Sequence, residues 1–157
     1  MMDNTLLEIS PAELKDIPEL RVLLRELFSQ EKEFEPDGNA QARGLEAIIG
    51  GAEVGVVLVA RDETGIMGMV NLLYTISTAL GGRVAVLEDM ITAPRCRGRG
   101  VGSQLLTFAL EYARTQGCRR VTLLTDHDNH DAHRFYETHG FARSSMAVFR
   151  MPLEQGT

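Results

Sequence analysis

"EDMITAPRCRGRGVGSQLL", Glu88 to Leu106, decides how the chain is read. An apolar run that carries two acids, Glu88 and Asp89, gives way to Arg97-Gly98-Arg99-Gly100-Val101-Gly102. The stretch "RVAVLEDMIT" before the glycines reads as a strand. The stretch "GSQLLTFALEYARTQG" after them reads as a helix, with Leu105, Leu106, Ala109, Leu110 and Ala113 on its inner face and Gly117 as its stop. The glycines therefore sit at the mouth of a helix. The first residues of a helix carry unpaired N–H groups and a partial positive charge. Glycines let a phosphate approach those groups without a side chain in the way. Consecutive amides can then converge on a pyrophosphate, and arginines add contacts of their own.

Two common nucleotide loops are excluded. A dinucleotide fingerprint needs G-x-G-x-x-G after the first strand and an acid about 20 residues on. Here the glycines alternate, the strand is not the first, and arginines 119 and 120 stand where the acid should be. A phosphate-binding Walker loop needs a Gly-Lys pair, and the chain has none. A plain glycine-rich turn with exposed arginines is the alternative at this point.

Outward from the loop, the chain reads as one domain over residues 1–157, without repeats or linkers. "TLLEI" is a short strand. "SPAELKDIPELRVLLRELFSQE" is an amphipathic helix, with Ser10 as N-cap, Glu13 completing a capping box and Pro11 at the first position. Pro18 kinks its first turn or restarts it. "NAQARGLEAIIG" is a second helix. "EVGVVLVAR" and "GIMGMVNLLYTIS" form an antiparallel hairpin around Asp62–Gly65. After the loop helix come the strand "RRVTLLT", the short helix "NHDAHRFYETHG" and a last strand, "ARSSMAVFRMPL". The strand–helix–strand unit from Val84 to Thr125 makes its two strands parallel. The expected fold is α/β (α+β): a mixed, mostly antiparallel sheet with one parallel pair and helices on both faces.

Bulk properties narrow the partners. With 44% hydrophobic and 24% charged residues the composition is that of a globular domain. Two cysteines are too few for a disulfide framework, there is no secretory signal, and no apolar run is long enough to span a membrane, so a cytoplasmic setting is expected. A net charge of −6 argues against a coat on nucleic acid or anionic membrane. Cys96 is expected to be an exposed loop thiol. His130 and His133 have i, i+3 spacing, but a polar helix start accounts for them, and no metal is expected.

At these residues the sequence resembles the GNAT superfamily of N-acetyltransferases. Arg97, Gly100 and Gly102 match its Q/R-x-x-G-x-G/A pyrophosphate loop. Asn129, Ala132, Phe135, Tyr136, Gly140 and Phe141 match its N-x-x-A-x-x-F-Y-x-x-x-G-F helix. The opening strand and helix are also similar, so the likeness spans nearly the whole chain. The resemblance implies a splayed parallel strand pair with acetyl-CoA in the split. Its pyrophosphate would take the amides of Arg97, Gly98, Arg99, Gly100, Val101, Gly102 and Ser103. Its pantetheine arm would pair with Met90, Ile91 and Thr92, and would meet Asn129 and Tyr136.

Acetyl transfer to an amine needs a base, because an alkyl ammonium has a pKa near ~10.4. It also needs a donor for the oxyanion and a proton for the leaving thiolate. Glu88 and Asp89 interrupt an apolar strand, where an unpaired carboxylate is costly. Neighbouring strand residues face opposite ways, so at most one is expected on a given side. "LEDM" resembles the strand of polyamine N-acetyltransferases, which implies Glu88 as base and Asp89 as structural or substrate-facing. The resemblance also implies Tyr136 as acid and the N–H of Ile91 as oxyanion donor. The acidic run "EKEFEPD", with Glu31, Glu33, Glu35 and Asp37, is either a solvated surface or an attractor for a cationic acceptor. The expected acceptor is a small-molecule amine, with no nucleic acid or membrane partner, and a homodimer is expected because the family commonly forms one. A protein-lysine or N-terminal acetyltransferase and a non-catalytic acetyl-CoA sensor are the rival readings.

Overall fold

The structure is a computed structural model that describes residues 7–30 and 38–153, with the side chains of 26–30 left aside. Two compact units divide after Leu124. The first holds a five-stranded sheet in the order β1-β2-β3-β4-β5. Its strands are β1 (Glu8–Pro11), β2 (Gly55–Asp62), β3 (Gly65–Ser77), β4 (Gly82–Thr92) and β5 (Val121–Leu123). Its helices are α1 (Ile17–Gln30), α2 (Gly38–Ile49) and α3 (Val101–Thr115). The second unit holds α4 (His130–Thr138). The first three pairings are antiparallel and β4–β5 is parallel. The mixed sheet, with helices on both faces, is the expected class.

The hairpin forms where the sequence places it. Asp62 Oδ1 accepts from the N–H and the hydroxyl of Thr64, and Gly65 supplies a positive φ that an L side chain resists. Cross-strand partners share a face. Gly68, Val70 and Leu72 of β3 therefore share one with Thr92, Met90 and Leu87 of β4. A Cβ on Gly68 would meet Leu105 Cδ2 of α3 at 3.4 Å, so this is the face that α3 covers. Leu105, Leu106, Ala109 and Ala113 are buried there, at the inner spacing read from sequence.

Two elements differ from expectation. Ser10 and Pro11 do not start a helix; they end β1, where Pro11 stands opposite Leu58. Pro11 lacks an N–H, but β1 is an edge strand and pairs on one side only. The capping box instead joins Glu13 and Asp16, with the Glu13 N–H donating to Asp16 Oδ2 at 2.8 Å. It opens a single 3-10 turn (Leu14–Asp16), and α1 restarts at Ile17 with Pro18 in its first turn, where no N–H is needed. The second difference is the last strand. The second unit, taken by itself, holds no strand over residues 142–153, and alternation alone makes no strand without a ladder.

Asp16 is buried and joined to Arg61 of β2 at 3.0 Å. Burial alone would raise its carboxyl pKa. The hydrogen bonds from Arg61 and from the Glu13 N–H outweigh that and hold it below the ordinary aspartate value.

Candidate active site

β4 changes character at Glu88. Through Leu87 it is paired on both edges, because Ala85, Val86 and Leu87 lie beside Val121, Thr122 and Leu123 of β5. β5 ends there, while β4 runs on to Thr92. From Glu88 onward one edge of β4 has no strand partner among the described residues. The open edge has a definite polarity. The Ala93 N–H donates to Met67 O at 2.7 Å, toward β3. Donors in an antiparallel ladder alternate in direction every residue. Ile91 therefore turns its N–H toward β3 as well, and Met90 and Thr92 turn theirs to the open edge.

The pairing with β3 also breaks here. Val70 stands opposite Met90 and Leu72 opposite Leu87. One residue of β3, Asn71, thus faces two of β4, Glu88 and Asp89. This is a β-bulge, which commonly re-aims side chains beside active sites. It corrects the expectation that the two acids must face opposite sides. Leu87 and Met90 share the α3 face, so the alternation is suspended between them. Asp89 lies on the other face with Asn71, whose Nδ2 donates to Asp89 Oδ2 at 2.8 Å. Glu88 is exposed and has no hydrogen bond or ion pair among the described residues.

The glycine loop follows in the same unit. Gly98 and Gly100 adopt φ of 80° and 77°, the left-handed region that suits glycine. Gly100 is the N-cap of α3 and offers no side chain to cap it. The amides of Val101, Gly102 and Ser103 have no acceptor among the described residues. A Cβ built on Gly98 or Gly100 would meet nothing within 4 Å, so open space lies beside both. Arg97 and Arg99 are exposed. Uncapped amides at a helix mouth, beside two arginines, fit a phosphate ligand. Cys96 is not the exposed thiol expected from sequence. It is 1% exposed, because the 3-10 turn Pro94–Cys96 turns it inward.

In the second unit, Asn129 is the N-cap of α4, and its Oδ1 accepts from the Ala132 N–H at 3.2 Å. Its Nδ2 has no partner among the described residues. Tyr136 packs edge-on against Phe135 and Phe141, with ring centroids at 5.3 and 5.7 Å. Burial pushes its phenol above the ordinary tyrosine value, so it stays protonated at neutral pH. His133 Nε2 is 2.8 Å from the Asp126 carbonyl oxygen and so donates to it. Glu31, Glu33, Glu35 and Asp37 lie outside the described residues.

Sequence reasoning missed Asn71. It is the one polar residue in the apolar run "GMVNLLY", and asparagine is disfavoured in strands, so a signal was present.

The sequence profile of the Acetyltransferase (GNAT) family matches residues 17–141. The uncharacterized N-acetyltransferase YhfO of Bacillus subtilis is 31% identical over 118 residues, which cover 73% of this chain and 78% of that protein. The aminoalkylphosphonate N-acetyltransferase of Salmonella typhimurium is 28% identical over 137 residues, covering 87% and 86%. The solved structure of the aminoglycoside N-acetyltransferase AAC(6')-Iy in complex with CoA superposes with a TM-score of 0.80 over 97% of this chain and 98% of its own, at 17% identity. The profile spans most of the chain and the relatives share its chemistry by name: the chain belongs to the Acetyltransferase (GNAT) family and is an acyltransferase.

Proposed function

We propose that the protein moves the acetyl group of acetyl-CoA to a primary amine of a small molecule, directly, with both substrates bound together. The observation that carries this reading is the open edge of β4, which begins at the two acids and runs into the uncapped mouth of α3. A pantetheine arm pairs with such an edge as an added strand, using Met90 to Thr92. A pyrophosphate fits the amides of Gly98 and of Gly100 to Ser103; those of Arg97 and Arg99, expected from sequence to join them, already donate to the Pro94 and Cys96 carbonyls. The CoA bound to the structurally similar aminoglycoside enzyme supports the donor. The aminoalkylphosphonate relative supports a small amine as acceptor.

In this reading Glu88 takes the proton of the acceptor ammonium. It is the unpaired carboxylate of the bulge, whereas Asp89 is already held by Asn71. The C–N bond forms as the C–S bond breaks. Met90, whose N–H turns to the open edge, supports the carbonyl oxygen in place of Ile91, whose N–H turns to β3. The thiolate takes a proton from Tyr136. That role rests on the match of its helix to the family pattern and on a phenol that stays protonated. Asn129 supplies an amide N–H to the pantetheine arm. No step uses a metal, a nucleic acid or a membrane, and the homodimer expected of the family is checked by light scattering.

The test is thiol release from acetyl-CoA against 2-aminoethylphosphonate, spermidine, an aminoglycoside, free amino acids and a lysine peptide. Turnover with a small amine is the expected result. Turnover with the peptide alone would move the acceptor to protein. Acetyl-CoA binding without turnover would favour a sensor, and no binding by calorimetry would remove the loop assignment. A Tyr136→Phe enzyme that keeps full kcat would remove the acid.

A further inference from the structure

Asn71 is 2% exposed, and its two polar atoms have different fates. The Nδ2 end must face Asp89, because a carboxylate only accepts. The Oδ1 end is then fixed by the planarity of the amide, and it is buried with no hydrogen-bond partner among the described residues. A buried carbonyl oxygen left unpaired is a standing cost to the fold, and native chains seldom keep one without a use. This one sits at the bulge, one residue across from both acids. The bulge thus carries acceptors at three depths. Glu88 is exposed, Asp89 is half-buried and Asn71 is buried. All three are oxygens, and no donor of the bulge's own side chains reaches the Asn71 oxygen.

We infer that Asn71 is a substrate-binding residue, and that its Oδ1 takes an N–H of the acceptor ammonium while its Nδ2 holds Asp89 in place. This deepens the proposed function and rests on it. The chemistry selects a primary ammonium. Such a group brings three N–H donors to a site made of acceptors, and the innermost N–H pairs the orphaned oxygen. The same group with its hydrogens replaced by methyls keeps the charge and loses the donors. Asn71 therefore reads hydrogens rather than charge, and leaves charge to Asp89 and Glu88.

The experiment compares ligands as well as variants. Each amine of the panel and its N,N,N-trimethyl counterpart is titrated by calorimetry into the full chain saturated with CoA. The titrations are repeated for Asn71→Ser and Asn71→Leu. Serine keeps a short donor for Asp89 but places no oxygen where Oδ1 lies. Leucine keeps the volume and removes both polar atoms. The wild-type chain is expected to prefer the primary ammonium. Asn71→Ser should weaken that ligand about tenfold and leave the trimethyl ligand unchanged, the size of one hydrogen bond to a charged group. Equal weakening of both ligands, in either variant, would mean that Asn71 only supports the bulge, and would overturn the inference. So would a wild-type chain with no preference for N–H in any pair. Because binding is read without turnover, the two readings separate. A preference that Asn71→Ser abolishes, in a chain that never releases thiol, would keep the ammonium seat and remove the acetyl transfer.

Discussion

The two faces of the sheet are built on different terms. The face under α3 carries Val70 and Leu72 of β3 and Leu87 of β4, and α3 turns Leu105, Leu106 and Ala109 inward, all buried. The other face carries Asn71 beside Asp89, and it is the face on which the bulge breaks the alternation. Every buried side-chain atom that lacks a partner among the described residues belongs to Asn71, Arg21 of α1 or Gln41 of α2, and none belongs to α3. Both faces hold the fold together, since the Asn71 face also buries Val57, Val59, Met69 and Ile91. Only on the Asn71 face do the strands carry a buried polar atom without a partner among the described residues, which is what a polar substrate requires.

That division is most exposed to failure at its chemical end. Glu88→Gln should lower kcat/KM by about 10²–10⁴, the usual worth of a positioned general base, with little change in melting temperature because Glu88 is exposed and has no partner among the described residues. A steady-state assay with a thermal melt reads both. A variant that melts early and still turns over would reverse the roles of the two faces. On the α3 side the opposite is expected. Leu105→Ala removes a fully buried side chain and should cost about 2–5 kcal/mol in urea unfolding, with activity per folded molecule retained.

How much of this was legible in the sequence follows the same line. The glycine loop and α3 were legible because their signals are local: glycine spacing, helical period and a stop at Gly117 lie within one short stretch. The bulge was not. It exists only in the register between β3 and β4, and a strand read alone alternates without interruption. The open edge of β4 was legible only through the family resemblance, because it depends on where β5 stops. Ser10-Pro11 matched a helix start in spacing, and pairing with β2 overrode it, as tertiary context often does. Tyr136 and Asn129 were legible as a pattern, and their roles still rest on that pattern.

A third test lies at the seam between β2 and the turn before α1. Asp16→Ala deletes a buried carboxylate that Arg61 and the Glu13 N–H share, and should cost about 3 kcal/mol. The pH dependence gives the sign. The folded pKa of Asp16 lies below its ordinary value, so the ionised form stabilises the chain. That stabilisation is complete above the ordinary aspartate value and is lost as pH falls through the folded one. The wild-type melting temperature should therefore fall toward acid more steeply than that of Asp16→Ala. Parallel curves would mean that the pair contributes nothing.

The smallest expected effect is the sharpest probe of what the polar face is for. Gln41 of α2 is 7% exposed, and neither Oε1 nor Nε2 has a partner among the described residues. It shares its helix face with Leu45, which is buried one turn on. Replacing a buried, unpaired amide with an apolar group of similar size removes a desolvation cost and adds apolar contact. Gln41→Leu should therefore stabilise the chain by about 1 kcal/mol. If it does so and turnover is unchanged, Gln41 is a cost that the fold simply carries. If it does so while KM for the amine rises and KM for acetyl-CoA stays fixed, the amide is held unpaired for the acceptor. The polar face would then extend from the bulge to α2, and stability would have been given up there for the substrate's sake.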